Sequence, residues 1–274
     1  MRITDEQIAQ FKRDGFLIIE NFLTREEQQS ALQGFFEWFA PPYEEWLAAD
    51  KQNNRPQIRM FPWDHSGLNH AITHPDLIDA AERIIGTSEL RLSEAHLGVK
   101  YYSMTKSPGT AIGYYHQDYR NNTLGPIIEP DEYQHLFFFY TFDDVKPGMA
   151  PIHMVGNGKT EKEAVPMIVP GGSICLYTPF TWHAASEFQV PGHRAVAWVG
   201  YSRKDRPWDG ARSFTYKSGA GNAAMNRFIT EASPRQLELI GFPPPGDPLW
   251  TESFLTAMQN RYAGFDPKPY KKNF

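Results

Sequence analysis

Beyond Gly86 the chain breaks into short runs rich in β-branched and aromatic residues, separated by Gly, Pro and Asp turns. Candidate strands are 90–102, 111–116, 135–142, 150–155, 165–169, 173–178 and 194–202. Short strands at this rhythm suit a sandwich or a barrel, with one face of each strand turned to a common core.

The stretch before Gly86 has a helical texture. Thr4-Asp5-Glu6-Gln7 and Thr24-Arg25-Glu26-Glu27 are capping boxes. Gly15 stops the first helix, Phe16-Leu17-Ile18-Ile19 reads as a short buried strand, and Pro41-Pro42 ends the second helix. Residues 43–74 look polar and irregular, and Pro75 opens a third helix closed by Gly86. After Lys204 the chain turns irregular again, with a helix capped at Ser233 and a last one near 251–262. The expected organisation is one domain over 1–274: a helical buttress at 1–89, a β core at 90–204 and a wrapping segment at 205–274.

Composition narrows the function classes. Of 274 residues 41% are hydrophobic and 22% charged, an ordinary globular balance. A net charge of -5 argues against a general nucleic-acid surface. The run Leu136–Tyr140 is too short to cross a bilayer, and the polar start lacks the apolar stretch of a signal peptide. The single Cys175, in an apolar run, reads as a small buried hydrophobe. Together these features lead us to expect a cytoplasmic protein without membrane or nucleic-acid partners. The oligomeric state is left open.

The chemistry concentrates in His116-Gln117-Asp118 and Thr181-Trp182-His183. In an extended segment residues i and i+2 face the same side, so one strand can aim the His116 imidazole and the Asp118 carboxylate at one point. His183 follows a strand and a turn, and folding of a barrel would bring it opposite. Two imidazoles and one carboxylate form the ligand set of non-haem iron(II) oxygenases and leave metal positions open for co-substrates. A lone His-x-Asp arises by chance in many chains; the distal histidine and a following arginine give it weight. Arg194 opens an apolar run, 193–199, where a guanidinium needs a partner. Either a protein carboxylate or the far carboxylate of a bound co-substrate fills that role, and the metal set favours the second. His65, His70 and His74 fit no single helix face and have no cysteines beside them, so a loop or capping role is expected.

These residues resemble the phytanoyl-CoA dioxygenase family of iron(II)/2-oxoglutarate oxygenases over roughly residues 1–205. The likeness includes the opening Phe11-Lys12-Arg13-Asp14-Gly15-Phe16 through Phe22-Leu23, then His116, Asp118, His183 and Arg194. The resemblance implies a mainly β fold with flanking α: a double-stranded β-helix (jelly roll, cupin-like) core buttressed by N-terminal helices. It also implies iron(II) on His116, Asp118 and His183, with 2-oxoglutarate anchored by Arg194 and O2 as the other co-substrate. The expected reaction is hydroxylation of a small molecule, releasing succinate and CO2; desaturation and cyclisation stay open. Retention of Asp118 favours hydroxylation over halogenation, since related halogenases lack that carboxylate. Alternation places Glu94, His96, Lys100 and Tyr102 on one strand face, and Lys100 and Tyr102 are candidate co-substrate contacts. The stretch 146–159 lacks the family's Ser-His pair, and Ala185 stands where many relatives carry a small hydroxyl. A polar insert at 119–134 is a candidate lid, and Arg55, Arg59, Trp63 and Arg120 are candidate substrate contacts. A non-catalytic jelly-roll binding protein and a zinc hydrolase on the same ligands are the alternative readings.

Overall fold

The computed structural model describes residues 2–49, 59–102, 112–118, 125–126, 133–205, 223–239 and 241–271. Both capping boxes form. In α1 (Asp5–Asp14) the Thr4 hydroxyl accepts from Gln7 N at 3.2 Å while the Gln7 side chain accepts from Thr4 N at 2.9 Å. In α2 (Arg25–Trp38) Thr24 and Glu27 do the same at 3.2 and 2.8 Å. Each box satisfies backbone donors that a helix start leaves open. Gly15 ends α1 at a φ of 81°, a left-handed turn that glycine makes without strain, and leads directly into β1 (Phe16–Ile19).

The segment expected to be irregular instead holds α3 (Tyr43–Ala48), β2 (Arg59–Met60) and α4 (Ser66–Ile72). Long-range packing holds α3: the Trp46 ring stacks on Tyr101 at 4.4 Å and 5°. Local capping by an imidazole starts α4, where Leu68 N donates to His65 Nδ1 at 3.4 Å. α5 (Pro75–Ile85) completes the N-terminal helices.

β3 (Leu90–Tyr101), β4 (His135–Thr141), β7 (Ser173–Tyr177) and β9 (His193–Arg203) join β1 and β2 in a six-stranded sheet of order β1-β7-β4-β9-β3-β2. β5 (His153–Val155), β6 (Val165–Pro166) and β8 (Trp182–Ala184) form a three-stranded sheet of order β6-β5-β8. The pairs β1–β7, β4–β7, β2–β3, β5–β6 and β5–β8 are all antiparallel. Two bridge contacts lay residues 112–116 along β8 and its extension. From β3 onward the chain visits the large sheet, 112–116, the large sheet, the small sheet twice, the large, the small and the large. β8 was not expected as a strand, β5 and β6 are shorter than the expected runs 150–155 and 165–169, and 112–116 makes bridges rather than a full strand.

Strand alternation explains the core. Phe137 and Phe139 of β4, Cys175 and Tyr177 of β7, and Val196 of β9 pack with Ile152, Met154, Met167 and Val169 from the other sheet's segments. Cys175 is buried as expected, and burial pushes its thiol pKa up. The chain packs as two compact units, the first of residues 1–84, 94–117 and 136–200, the second of 85–93, 118–135 and 201–274. The second carries α6 (Ala223–Glu231), which the sequence did not announce, α7 (Pro234–Leu239) and α8 (Glu252–Arg261). Its centre is Trp250, packed with Phe242, Phe254, Phe265 and Tyr270, whose indole N–H donates to the carbonyls of Pro243 and Pro244 at 3.1 Å each. Among the described residues no helix is long and apolar enough to cross a membrane.

Candidate metal centre

The chain segment bearing His116 lies antiparallel to β8, with His116 directly across from His183. The two exchange both backbone hydrogen bonds, His116 N to His183 O and His183 N to His116 O, each at 3.0 Å. A second contact joins Ile112 to Ser186. Three residues lie between these contacts on one strand and two on the other, so the 112–116 segment carries one extra residue, a β-bulge. The imidazole rings of His116 and His183 stand 4.4 Å apart, and a donor atom from each lies within 4.8 Å of the other and of an Asp118 oxygen. His183 is buried, while His116 and Asp118 are half-buried.

Hydrogen bonding sets which ring nitrogen is offered. His183 Nδ1 donates to the Thr181 carbonyl at 2.9 Å, and His116 Nδ1 sits 3.4 Å from the Tyr114 carbonyl. A carbonyl can only accept, so in each contact Nδ1 is the donor, and in that neutral tautomer Nε2 is the basic nitrogen. This is the outer-shell arrangement that metal-binding histidines use. Thr181 is fixed in turn, its hydroxyl donating to the Gly15 carbonyl at 2.7 Å and accepting from Thr178 N at 3.1 Å.

A second cluster, Glu27, His70 and His74, is as compact and fails the same test. Asp76 N donates to His74 Nδ1 at 3.1 Å, so that ring carries its proton on Nε2, 3.3 Å from Glu27 Oε1. The nitrogen facing the cluster centre is a donor, not a ligand. Arg2 engages the same carboxylate through two bonds of 2.7 and 3.1 Å and holds the Glu27 pKa well below the usual carboxylate range. Burial, and secondarily the Arg2 charge, lower the His74 pKa. The cluster ties the helices together; His65 and His74 serve as caps, as expected, and His70 is largely exposed.

Arg194 is buried on β9 with its guanidinium 5.6 Å over the Phe139 ring. Its Nη1 donates to the Ala150 carbonyl, and its Nε has no hydrogen-bond partner. Desolvation pulls its pKa down to about 10, against the opposing pull of Asp143 and Glu187, so it stays charged at neutral pH. Asp143 is engaged elsewhere, by His193 Nε2 at 3.0 Å and Ala195 N at 3.1 Å. A buried, incompletely satisfied guanidinium suits an incoming carboxylate. Lys100 donates to the Ser186 carbonyl at 2.5 Å and pairs with Glu187 at 3.0 Å, on the chain that carries His183. Tyr102 is half-buried, its backbone N–H on the Gly192 carbonyl at 2.9 Å. His96 lies stacked on Trp198 at 4.7 Å. Trp63 is buried beside Phe61, and Arg55, Arg120 and most of the 119–134 insert fall outside the described residues.

Sequence reasoning missed two neighbours of the centre. Tyr114 is 81% exposed with its ring 5.3 Å from that of His116. Gln117 donates its side-chain amide to the Phe180 carbonyl. The period-2 alternation that paired His116 with Asp118 also set Gln117 on the other side, the one signal that was available.

No family model matches the sequence, and no curated relative matches it. Solved structures do. The non-heme α-ketoglutarate-dependent carbocyclase SnoK from nogalamycin biosynthesis matches with a TM-score of 0.56 at 16% identity, over 78% of this chain and 90% of that one. The epimerase SnoN, in complex with Fe3+, α-ketoglutarate and nogalamycin RO, matches at 0.55 and 14%, over 76% and 86%. EctD from S. alaskensis, with 2-oxoglutarate and 5-hydroxyectoine, matches at 0.56 and 17%, over 77% and 84%. Like these solved structures, the chain combines two antiparallel sheets with flanking helices; helices and strands are mixed throughout rather than the fold being mainly β as expected.

Proposed function

We propose that this chain is an iron(II)- and 2-oxoglutarate-dependent oxygenase of the phytanoyl-CoA dioxygenase type, acting in the cytoplasm on a small molecule. In this reading the strands from β3 to β9 form a jelly roll within a single domain, with 1–89 as its helical buttress and 205–274 as its wrapping segment. The observation that carries the proposal is the convergence of two imidazoles, each with Nδ1 on a backbone carbonyl, with one carboxylate. Iron(II) held there would, with 2-oxoglutarate and O2, supply oxidative decarboxylation to succinate and CO2, one oxygen atom of O2 going to succinate and the other to an unactivated C–H bond. His116, Asp118 and His183 would hold the metal by three positions and leave three for exchange. Arg194 would pair with the distal carboxylate of 2-oxoglutarate, with Lys100 and Tyr102 as further co-substrate contacts. Phe139 under Arg194 and Met154 opposite His183 are buried in the core and would keep water from that side. A hydrolase on the same ligands has no use for a buried guanidinium with an open Nε. Hydroxylation is the proposed outcome.

The test is 2-oxoglutarate-dependent succinate formation and oxygen uptake with iron(II), with a metabolite panel scored for a gain of one oxygen. His116→Ala and Asp118→Ala should each abolish succinate formation; normal turnover in either variant would refute the assignment.

A further inference from the structure

β9 begins at His193, so Arg194 takes the second position of its strand. Side chains alternate along a strand. Val196, two residues on, packs in the core between the sheets, and Arg194 points to that same side, over Phe139. His193 and Ala195 fall on the opposite side, where the His193 ring meets Phe36 of α2 edge-on at 5.2 Å. One carboxylate engages both of these neighbours. Asp143 Oδ1 accepts from Ala195 N at 3.1 Å, and its Oδ2 lies 3.0 Å from His193 Nε2. The other ring nitrogen, Nδ1, accepts from Tyr43 N at 3.2 Å, at the start of α3. A backbone N–H can only donate, so in the neutral ring the proton is on Nε2, facing Asp143. Phe142 N donates to the Ala195 carbonyl at 3.0 Å, so the Asp143 side chain continues the pairing of β4 with β9.

We infer that Asp143 is a positioning residue for Arg194: by holding both chain neighbours of Arg194 it sets the direction from which the guanidinium enters the core. The inference rests on Arg194 as the co-substrate anchor proposed above. The Cα–Cβ direction of Arg194 follows from the backbone angles around it, and those are set where His193 and Ala195 are held. Strand ends fray more readily than strand middles, so a hold at this position has an effect. A guanidinium that must meet a carboxylate in fork geometry tolerates little misplacement. Fixing its main chain on folding leaves less to be ordered when the co-substrate binds. Asp143→Asn keeps the size of the side chain but leaves one acceptor oxygen for two donors. His193→Phe removes one of the two holds, keeps a ring against Phe36 and leaves the Asp143 charge in place.

The test compares two 2-oxo acids of equal chain length by calorimetric titration of the cobalt(II)-loaded protein. One is 2-oxoglutarate; the other is 2-oxopentanoate, which has a methyl group in place of the distal carboxylate. The ratio of their dissociation constants isolates what the distal carboxylate contributes. The parent should prefer 2-oxoglutarate, and Asp143→Asn should shrink that preference by about 10–100-fold, since a misplacement of about 1 Å can cost on the order of 100-fold. The 2-oxopentanoate and cobalt affinities should stay within about twofold of the parent. A role in stability alone would lower the melting temperature and leave the preference as it was, and a preference within about twofold of the parent overturns the inference. Should Asp143→Asn fail to fold, His193→Phe decides in the same terms. Arg194→Met separates the two claims: if the preference survives in that variant, or is missing in the parent, Arg194 is not the anchor and this inference falls with it. A preference lost in Arg194→Met and unchanged in Asp143→Asn removes the positioning role alone.

Discussion

Replacing Arg194 by methionine separates a binding role from a structural one. In the folded chain this guanidinium is buried, bonds the Ala150 carbonyl and stacks on Phe139, while its Nε goes unmatched. Burying an incompletely paired charge costs stability, and an apolar side chain of similar length relieves that cost. The apo variant should therefore melt at or above the parent temperature. Co-substrate binding should respond in the opposite direction. Truncating one partner of a buried charged pair costs about 2–5 kcal/mol, which is roughly a 30- to 4,000-fold loss of affinity. Thermal shift reads both quantities: 2-oxoglutarate at a hundred times the parent's dissociation constant should stabilise the parent by about 2.7 kcal/mol and the variant by about 0.9 kcal/mol or less. Calorimetric titration gives the affinities directly. An unchanged 2-oxoglutarate affinity in Arg194→Met, or a collapse of apo stability with binding preserved, would refute the reasoning and make Arg194 a structural residue.

Acid stability should depend on the helix tie. Glu27 titrates below its ordinary range chiefly because of Arg2, so its stabilisation is present above the unfolded carboxylate pKa and is lost as pH falls from about 4.5. His74, its pKa lowered chiefly by burial, adds a loss in the same direction from about pH 6.5 downward. Glu27→Gln should flatten the acid limb of a melting-temperature profile, and a limb as steep as the parent's would count against the tie. In the β core, a Cβ at Gly98 would sit 2.4 Å from the Trp198 ring, so Gly98→Ala should destabilise by about 1–3 kcal/mol and shift Trp198 fluorescence. Chemical denaturation within 0.5 kcal/mol of the parent would show that the ring has room to move.

Local chemistry was legible in the sequence; contacts made across long separations were not. The capping boxes at Thr4 and Thr24 close over three residues, so the residue types suffice to place α1 and α2. The strands β3, β4, β7 and β9 are long enough for residue preference to show. By contrast α3 depends on Trp46 meeting Tyr101, and β8 has three residues whose strand character comes from pairing with β5. At the candidate site, residue type and order singled out His116, Asp118, His183 and Arg194, and the structure gathers donor atoms of the first three. The proton positions on the rings could not be read in that way, because they depend on which backbone group each imidazole meets. That is also why Glu27, 47 residues from His74, was not linked to it in the sequence.

The additional residue between Ile112 and His116 has a consequence for how such a cluster of side chains is gained or lost. If the pairing had continued regularly from Ile112 and Ser186, Tyr115 would face His183, and the imidazole and carboxylate of the pair would be turned to the outer side. A phenol would then stand where the His116 imidazole does. The cluster of His116, Asp118 and His183 can be dispersed with all three residues still encoded, by a slip of one position in a strand edge, and a comparison of residue types alone would register no change.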